Sequence, residues 1–301
     1  MIRIKHRRYI RLACTAALLW LGSALVLAQP YPLKPVRVIV PFGAGGAADI
    51  MARVMAARWQ DVFGQRFIVE NRTGANGNIG AEYVARSPAD GYTLLVLDLG
   101  SFTSGPAVTP SLPVKNVAEL LAWAKANPGR FNYATLGEGR TSHLAGLELA
   151  ARAGTSFTFA PYKGGAQVLT EVAAGQAQAL GLAMLSTYPF VQGGKLKLLA
   201  VMSRDRMAIL PDVPTVAESG HPGFVAGQWQ AAYAPKGLPP EIAERIRVES
   251  ARFLNAPETR KRFADQGAEV MPGSGEALAA FVAGERAKFT RLVKEHRIKV
   301  E

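Results

Sequence analysis

Residues 36–49, V-R-V-I-V-P-F-G-A-G-G-A-A-D, decide how the rest of the chain folds. An apolar, β-branched run stops at Pro41, a loop with three glycines follows, and Asp49 opens a segment with apolar residues at helical spacing. This pattern predicts a strand, a glycine loop and a helix. Glycines let backbone N–H groups approach a ligand closely, and a helix N-terminus carries partial positive charge. The loop therefore suits a phosphate or a carboxylate.

The N-terminal segment, from Met1 to Ala28, differs in composition from the rest of the chain, which has 301 residues in all. Five basic residues accompany an apolar run at residues 12–27, and Val26 and Ala28 occupy the −3 and −1 positions of a small-residue cleavage site. We therefore predict a secretory signal peptide over residues 1–28, cleaved after Ala28, and a periplasmic location for the mature protein. The apolar run is shorter than the ~20 residues that a membrane-spanning helix needs.

Loss of this peptide changes the charge and the cysteine content. The formal net charge falls from +12 to +7, because five basic and no acidic residues are removed, and Cys14, the only cysteine, is lost as well. The mature chain therefore has no thiol or disulfide chemistry. Its lysines and arginines form no cluster interleaved with aromatic residues, so we expect no nucleic-acid partner. With 49% hydrophobic and 19% charged residues, the chain can form two ordinary cores.

Residues that could carry catalysis or bind a metal are sparse. The mature chain offers His143, His221 and His296 at no metal-ligand spacing, and it has no G-x-S-x-G nucleophile motif. We therefore predict no catalytic residue, no metal site and no cofactor.

One enzyme alternative stays open. Gly43, Gly45 and Ala48 satisfy G-x-G-x-x-A after a strand, and Glu70 lies where a ribose-binding acid would sit. This pattern is typical of a Rossmann-type NAD(P)-dependent oxidoreductase. Against it, predicted export places the protein where dinucleotide cofactors are scarce, and one cofactor site does not explain the further glycine loops at 136–143 and 163–167.

Predicted strands and helices alternate along most of the chain. The predicted strands cover 36–40, 67–70, 92–97, 131–135, 157–162, 179–183, 196–202 and 229–234, and the predicted helices cover 49–63, 79–86, 117–126, 144–153, 168–174, 240–254, 257–266 and 276–298. Several strands end in glycine loops that start helices. Such loops, placed at the carboxyl ends of parallel strands in two α/β lobes, would face each other across a ligand cleft.

Six motifs, taken in order, match a known family: P-F-G-A-G-G-A-A-D-I-M-A-R at 41–53, V-E-N-R-T-G-A-N-G-N-I-G at 69–80, D-G-Y-T-L-L at 90–95, P-Y-K-G at 161–164, L-P-D-V-P-T-V-A-E-S-G at 210–220 and A-P-K-G at 234–237. From Tyr31 to its C-terminus, the chain resembles the periplasmic substrate-binding proteins of tripartite tricarboxylate transporters, also called Bug-type receptors. The resemblance implies an α/β, two-lobed periplasmic-binding-protein fold of the Venus-flytrap, type II-like kind. Segments 31–104 and 226–301 would form lobe 1, and segment 105–225 would form lobe 2.

The resemblance also implies a function. The protein would be a monomeric receptor that captures a small carboxylate (a di- or tricarboxylate, an acidic amino acid or an aromatic acid) for the membrane permease subunits of such a transporter. In that family the carboxylate is gripped by the loop after the first strand and by the glycine loop of the second lobe, partly through water. The predicted ligand-binding residues are Phe42, Gly43, Ala44, Gly45, Gly46, Ala47, Asp49, Ser101, Gly137, Gly139, Arg140, Thr141, Ser142, Lys163 and Gly164.

Three of these residues carry specific expectations. Arg140 stands where the family usually has a small residue, so we hypothesise that it forms a bidentate pair with a distal carboxylate of the ligand. A solvated loop arginine is an equally good explanation of this residue. Asp49 matches an acidic position of the family, and capping of the first helix is as good an explanation as ligand contact. Lys163 matches the P-Y-K-G pattern and could fix the hinge side of its loop.

One departure from the family lies between residues 98 and 116. By comparison with family members, roughly 25 to 30 residues are absent there, including an apolar strand that would open the second lobe. Residues 103–114 are rich in proline and glycine, so we expect them not to supply that strand together with both of its flanking loops. Lobe 2 is therefore predicted to be shortened at its start.

Overall fold

A computed structural model describes residues 31–99, 106–227, 229–271 and 273–295. The strands are β1 Val36–Val40, β2 Phe67–Asn71, β3 Thr93–Leu99, β4 Ala107–Val108, β5 Asn132–Thr135, β6 Thr158–Pro161, β7 Ala179–Leu180, β8 Lys197–Leu198 and β9 Trp229–Tyr233. The helices are α1 Ala47–Phe63, α2 Asn78–Ala85, α3 Val117–Ala126, α4 Thr141–Arg152, α5 Gly165–Ala173, α6 Met184–Gln192, α7 Pro240–Asn255, α8 Pro257–Ala264 and α9 Gly275–Glu295. The predicted signal peptide and Ser101 lie outside the described residues.

The first sheet has four strands in the order β2-β1-β3-β9. Strands β1, β2 and β3 are parallel, whereas β9 pairs with β3 in the antiparallel direction. Strand β1 is central and apolar because both faces of the sheet are covered, and four of its five residues are fully buried. On one face, the Trp59 indole of α1 donates to Ser250 Oγ of α7 at 2.9 Å, which joins the two helices.

The second sheet has five strands in the order β6-β5-β7-β4-β8. Strands β5, β6 and β7 are parallel, and the two-residue strand β4 pairs antiparallel with both β7 and β8. Residues 103–114 therefore do supply a short strand, which the prediction did not allow for. This strand has only Ala107 and Val108, yet both residues are fully buried between β7 and β8.

Helix α6 is a second element that the sequence pattern did not predict. It contains Pro189 at its sixth position, which removes the hydrogen bond to the C=O of Leu185. The helix still forms because its first four residues are buried against neighbouring elements and because the Ser186 and Thr187 hydroxyls donate to the C=O of Ala183. None of the helices among the described residues has the length and apolar character that crossing a membrane requires.

Candidate functional site

A cavity of about 230 Å³ lies where the residues that follow β1 and β2 and the last residues of β3 meet the start of α4. Because β1, β2 and β3 are parallel, their carboxyl ends lie at one edge of the first sheet. The N-termini of α2 and α4 both border the cavity. Its lining consists of Pro41, Phe42, Asn76, Gly77, Asn78, Ala81, Leu97, Asp98, Gly139, Arg140 and Thr141.

Arg140 joins the two sides of this cavity. It occupies the N-cap position of α4, and its Nη2 donates to Oδ1 of Asp98, at the end of β3, over 2.5 Å. The two side chains are only 10% and 5% exposed. The guanidinium carbon also lies 3.7 Å from the centroid of the Phe42 ring. A buried ion pair and a cation–π contact therefore connect the loop before α4 to the ends of β1 and β3.

The loop before α4 is held in shape by hydrogen bonds. The Asn76 side-chain amide donates to the C=O of Glu138 at 2.6 Å, and Nδ1 of His143 accepts the N–H of Gly139 at 3.0 Å. An accepting Nδ1 requires that it carry no proton. Burial lowers the pKa of His143 below its ordinary value, and the nearby Glu138 carboxylate opposes this effect without reversing it. The neutral imidazole is therefore the form that supports this loop.

The two hydroxyl residues predicted to bind ligand have different surroundings. Thr141 lines the cavity as the first residue of α4. Ser142 is 2% exposed, and its Oγ accepts the N–H of Leu136 at 3.2 Å. In this arrangement Ser142 closes its own loop and does not line the cavity.

Asp49 organises the glycine loop after β1. It is 4% exposed, and its Oδ2 accepts the N–H of Gly45 at 3.1 Å. Arg53 donates to both carboxylate oxygens at 3.0 Å, and the Asn71 side-chain amide donates to Oδ1 at 3.0 Å and to the C=O of Phe42 at 2.8 Å. Burial alone would raise the pKa of Asp49, but the hydrogen bonds from Arg53, Gly45 and Asn71 outweigh it and hold the pKa below its ordinary value.

Loop 43–46 of the first sheet contacts loop 163–166 of the second, and we call this contact the glycine seam. Gly43 forms a parallel bridge with Gly164, and the N–H of Gly43 donates to the C=O of Lys163 at 3.2 Å. The Lys163 side chain is exposed, so the residue contributes to the seam through its backbone.

Glycine is required at this seam because the two backbones touch. A Cβ added to Gly43 would lie 2.6 Å from the C=O oxygen of Lys163, and one added to Gly165 would lie 2.7 Å from the Cα of Gly46. Both distances are far shorter than van der Waals contact, and backbone atoms cannot move aside as a flexible side chain can. The absence of side chains therefore allows the two loops to meet.

The structure separates the predicted ligand-binding residues into three groups. Phe42, Gly139, Arg140 and Thr141 line the cavity. Gly43, Ala44, Gly45, Gly46, Lys163 and Gly164 form the glycine seam. Ala47, Asp49, Gly137 and Ser142 support the loops from outside the cavity lining. Sequence reasoning missed Asn76, Gly77, Asn78 and Asp98, although residues 71–78 already showed a polar, glycine-bearing loop before a helix.

A larger depression, of about 460 Å³, lies between α1, α7 and α8. Its lining consists of Val54, Arg58, Arg252, Phe253, Ala256, Glu258, Thr259, Arg262 and Phe263. None of the predicted ligand-binding residues belongs to it, so the smaller cavity is the candidate site.

The dinucleotide alternative required Glu70 to be available to a ribose. Arg37 donates to both oxygens of the Glu70 carboxylate, at 2.6 and 2.7 Å, and Arg72 lies 3.5 Å away. The hydrogen bonds from Arg37 lower the pKa of Glu70 further than burial raises it. Because Glu70 is engaged in this structural network, the geometry gives the alternative no support.

Comparisons with known proteins agree with the fold and the motifs. The model of the family "Tripartite tricarboxylate transporter family receptor" matches residues 51–109 and 96–298. The solved structure of R. palustris Rpa4515 with adipate is similar with a TM-score of 0.86 and 31% identity, over 89% of this chain and 99% of that chain.

Two further solved structures give the same result. Periplasmic binding protein BugD is similar with a TM-score of 0.82 and 31% identity, over 89% of this chain and 99% of that chain. MatC from Rhodopseudomonas palustris with bound malate has a TM-score of 0.82 and 27% identity, over 87% of this chain and 100% of that chain. The predicted α/β periplasmic-binding-protein fold is confirmed, and the chain belongs to the family of tripartite tricarboxylate transporter receptors.

Proposed function

We propose that this protein is an extracytoplasmic receptor that binds a small carboxylate in the 230 Å³ cavity and delivers it to the permease subunits of a tripartite tricarboxylate transporter. The observation that carries this proposal is the convergence of two helix N-termini and the Arg140 guanidinium on one small cavity. The first N–H groups of a helix lack intrahelical acceptors, and the helix dipole favours negative charge there. These groups stabilise the negative charge of a ligand carboxylate.

The relatives support a carboxylate over a phosphate. One similar structure holds adipate and another holds malate, and both are small dicarboxylates. The link to permease subunits rests on the family to which the chain belongs. Export by the predicted signal peptide would place the receptor in the periplasm, where solute capture precedes transport. Binding without turnover is the expected activity, because the family consists of receptors.

Thermal unfolding of the processed chain tests the proposal. The protein, purified from the periplasm of an expression host, would be heated alone and with millimolar mono-, di- and tricarboxylates, amino acids, inorganic phosphate and nicotinamide dinucleotides. A ligand at 100 times its dissociation constant adds about 2.7 kcal/mol to the free energy of unfolding, which raises the midpoint clearly. A rise with a carboxylate that is recovered unchanged supports the receptor. A rise confined to phosphate or to a dinucleotide would contradict it.

A further inference from the structure

The cavity contains one positive and one negative side chain. Among its described lining residues, Arg140 is the only cation and Asp98 the only carboxylate. They already form an ion pair of 2.5 Å, and their side chains are 10% and 5% exposed. The remaining lining consists of apolar side chains, glycine backbone, two asparagines and one threonine. The formal charge of the cavity walls is therefore zero, before any ligand enters.

This balance disfavours a ligand that is only anionic. Such a ligand would compete with Asp98 for the same guanidinium and would place further negative charge beside a buried carboxylate. Like charges in a desolvated site repel strongly, because the low local dielectric does not screen them. The helix N-termini offset part of this repulsion but carry only partial charges.

A ligand that carries an ammonium group beside its carboxylate avoids the conflict. The guanidinium has five N–H donors in a planar fork, so Arg140 can hold Asp98 with one edge and a ligand carboxylate with another. The Phe42 ring, 3.7 Å from the guanidinium carbon, fixes the plane of the fork. The ligand ammonium would then pair with Asp98, and charges would alternate in sign around the cavity.

On this basis, and resting on the proposed function, we propose that the physiological ligand is an amino-substituted carboxylate whose ammonium is bound by Asp98 and whose carboxylate is bound by Arg140 and the start of α4. The cavity volume of about 230 Å³ suits a molecule of amino-acid size. Adipate and malate, the ligands of two similar structures, have no amino group, so this assignment distinguishes the chain from those relatives.

Ligand pairs that differ only in an ammonium group test the assignment. L-aspartate and succinate, L-glutamate and glutarate, and L-2-aminoadipate and adipate would be compared by thermal unfolding and by isothermal titration. The wild-type protein should bind the amino member of the preferred pair more tightly, by a factor of about ten or more. Each factor of ten in affinity corresponds to about 1.4 kcal/mol, and the cost of a like-charge contact exceeds that.

The variant Asp98→Asn adds a prediction that a structural role for Asp98 would not produce. Loss of the negative charge leaves the cavity walls with a formal charge of +1. The order of affinities within each ligand pair should therefore reverse, so that the dicarboxylate without an amine binds more tightly. Asp61→Asn, which removes the same charge from an exposed position of α1, should keep the wild-type order. The comparison of ligand pairs on the wild-type protein stands even where Asp98→Asn unfolds.

The outcomes separate this inference from the proposed function. Equal or tighter binding of the dicarboxylate without an amine by the wild-type protein overturns the inference and leaves a carboxylate receptor. If the protein binds neither the amino-substituted carboxylates nor the carboxylates without an amine, both the inference and the proposed function are refuted. A preference for the amino member that Asp98→Asn leaves unchanged, in a variant that unfolds cooperatively, would overturn the role of Asp98.

Discussion

Replacement of Gly165 by alanine should separate the two loops of the glycine seam. The added Cβ would lie 2.7 Å from the Cα of Gly46, 2.9 Å from its nitrogen and 3.0 Å from the C=O oxygen of Gly45, and all three are backbone atoms. Relief of this overlap requires that the loops move apart. Overpacking of this kind costs about 1–3 kcal/mol. The substitution destabilises the arrangement in which the loops touch, because alanine is otherwise acceptable at the first position of α5.

Ligand affinity is the quantity that reports this separation. The cavity lies between residues of the first sheet and the start of α4, and the seam is a second contact of the first-sheet loops with the second sheet. We therefore expect the binding-competent arrangement to become less populated in Gly165→Ala. A shift of about 1–3 kcal/mol corresponds to binding about 5- to 150-fold weaker. The assay is isothermal titration of the wild-type protein and the variant with the carboxylate that raises the unfolding midpoint most.

Gly46→Ala is the matched control because it lies in the same seam. A Cβ there meets nothing closer than the C=O oxygen of Gly43 at 3.8 Å, which is ordinary contact. Alanine is a poorer N-cap than glycine for α1, so about 0.5 kcal/mol of stability could be lost without separating the loops. Undiminished affinity in Gly165→Ala, or an equal loss in Gly46→Ala, would show that contact between the loops does not control binding.

Four further predictions concern the supporting residues and the N-terminus. Asp49→Asn should lower the free energy of unfolding by about 2 kcal/mol in urea, because an amide cannot accept the four hydrogen bonds that converge on the carboxylate; a loss no larger than in Asp61→Asn would contradict this. Because the pKa of Asp49 is depressed in the folded protein, the stabilisation by its carboxylate is present above the unfolded pKa of about 3.9 and is lost as pH falls through the lower folded pKa. An acid titration of the unfolding free energy of the wild type and of Asp49→Asn should show this loss in the wild type only. The pKa of His143 is also depressed in the folded protein, so the stabilisation by its neutral imidazole is complete above about pH 6.5 and declines as pH falls below that value. His143→Gln should flatten this part of the curve of unfolding free energy against pH. Identical curves for the wild type and the variant would refute the role of the neutral imidazole. N-terminal sequencing of the periplasmic protein should begin at Gln29, whereas an intact N-terminus would rule out the predicted cleavage.

The sequence predicted the parts of the fold whose signal is local. Strand β1, its glycine loop and α1 follow one another without interruption from Val36 to Phe63, and each has a pattern that a short window contains. Strand β4 has only Ala107 and Val108, which is too short for an alternating pattern, and its place in the sheet depends on β7 and β8 far along the chain. Helix α6 was not predicted because it contains Pro189, and helix interiors normally exclude proline.

The candidate site shows the same limit. Gly139, Arg140 and Thr141 are predicted because the family resemblance places the ligand at the glycine loop 136–143, and a glycine loop at a helix start is a local pattern. Asp98 was not selected, because a carboxylate at the end of an apolar strand has no distinctive signal until folding brings Arg140, 42 residues later, against it. Asn76 contacts Glu138 across 62 residues and was missed for the same reason.

Strand β9 affects the order in which the molecule can fold. It closes the open side of β3 in register, with Gln230 opposite Asp98, yet the whole second sheet lies between these two strands in the sequence. Until Trp229–Tyr233 arrives, β3 has an unpaired edge next to a run of buried leucines and valine at 94–97. Such an edge can pair with another chain and start aggregation. A truncated chain that stops before β9 would therefore be prone to aggregate, and Asp98 would reach its final place beside the cavity only after most of the chain has been made.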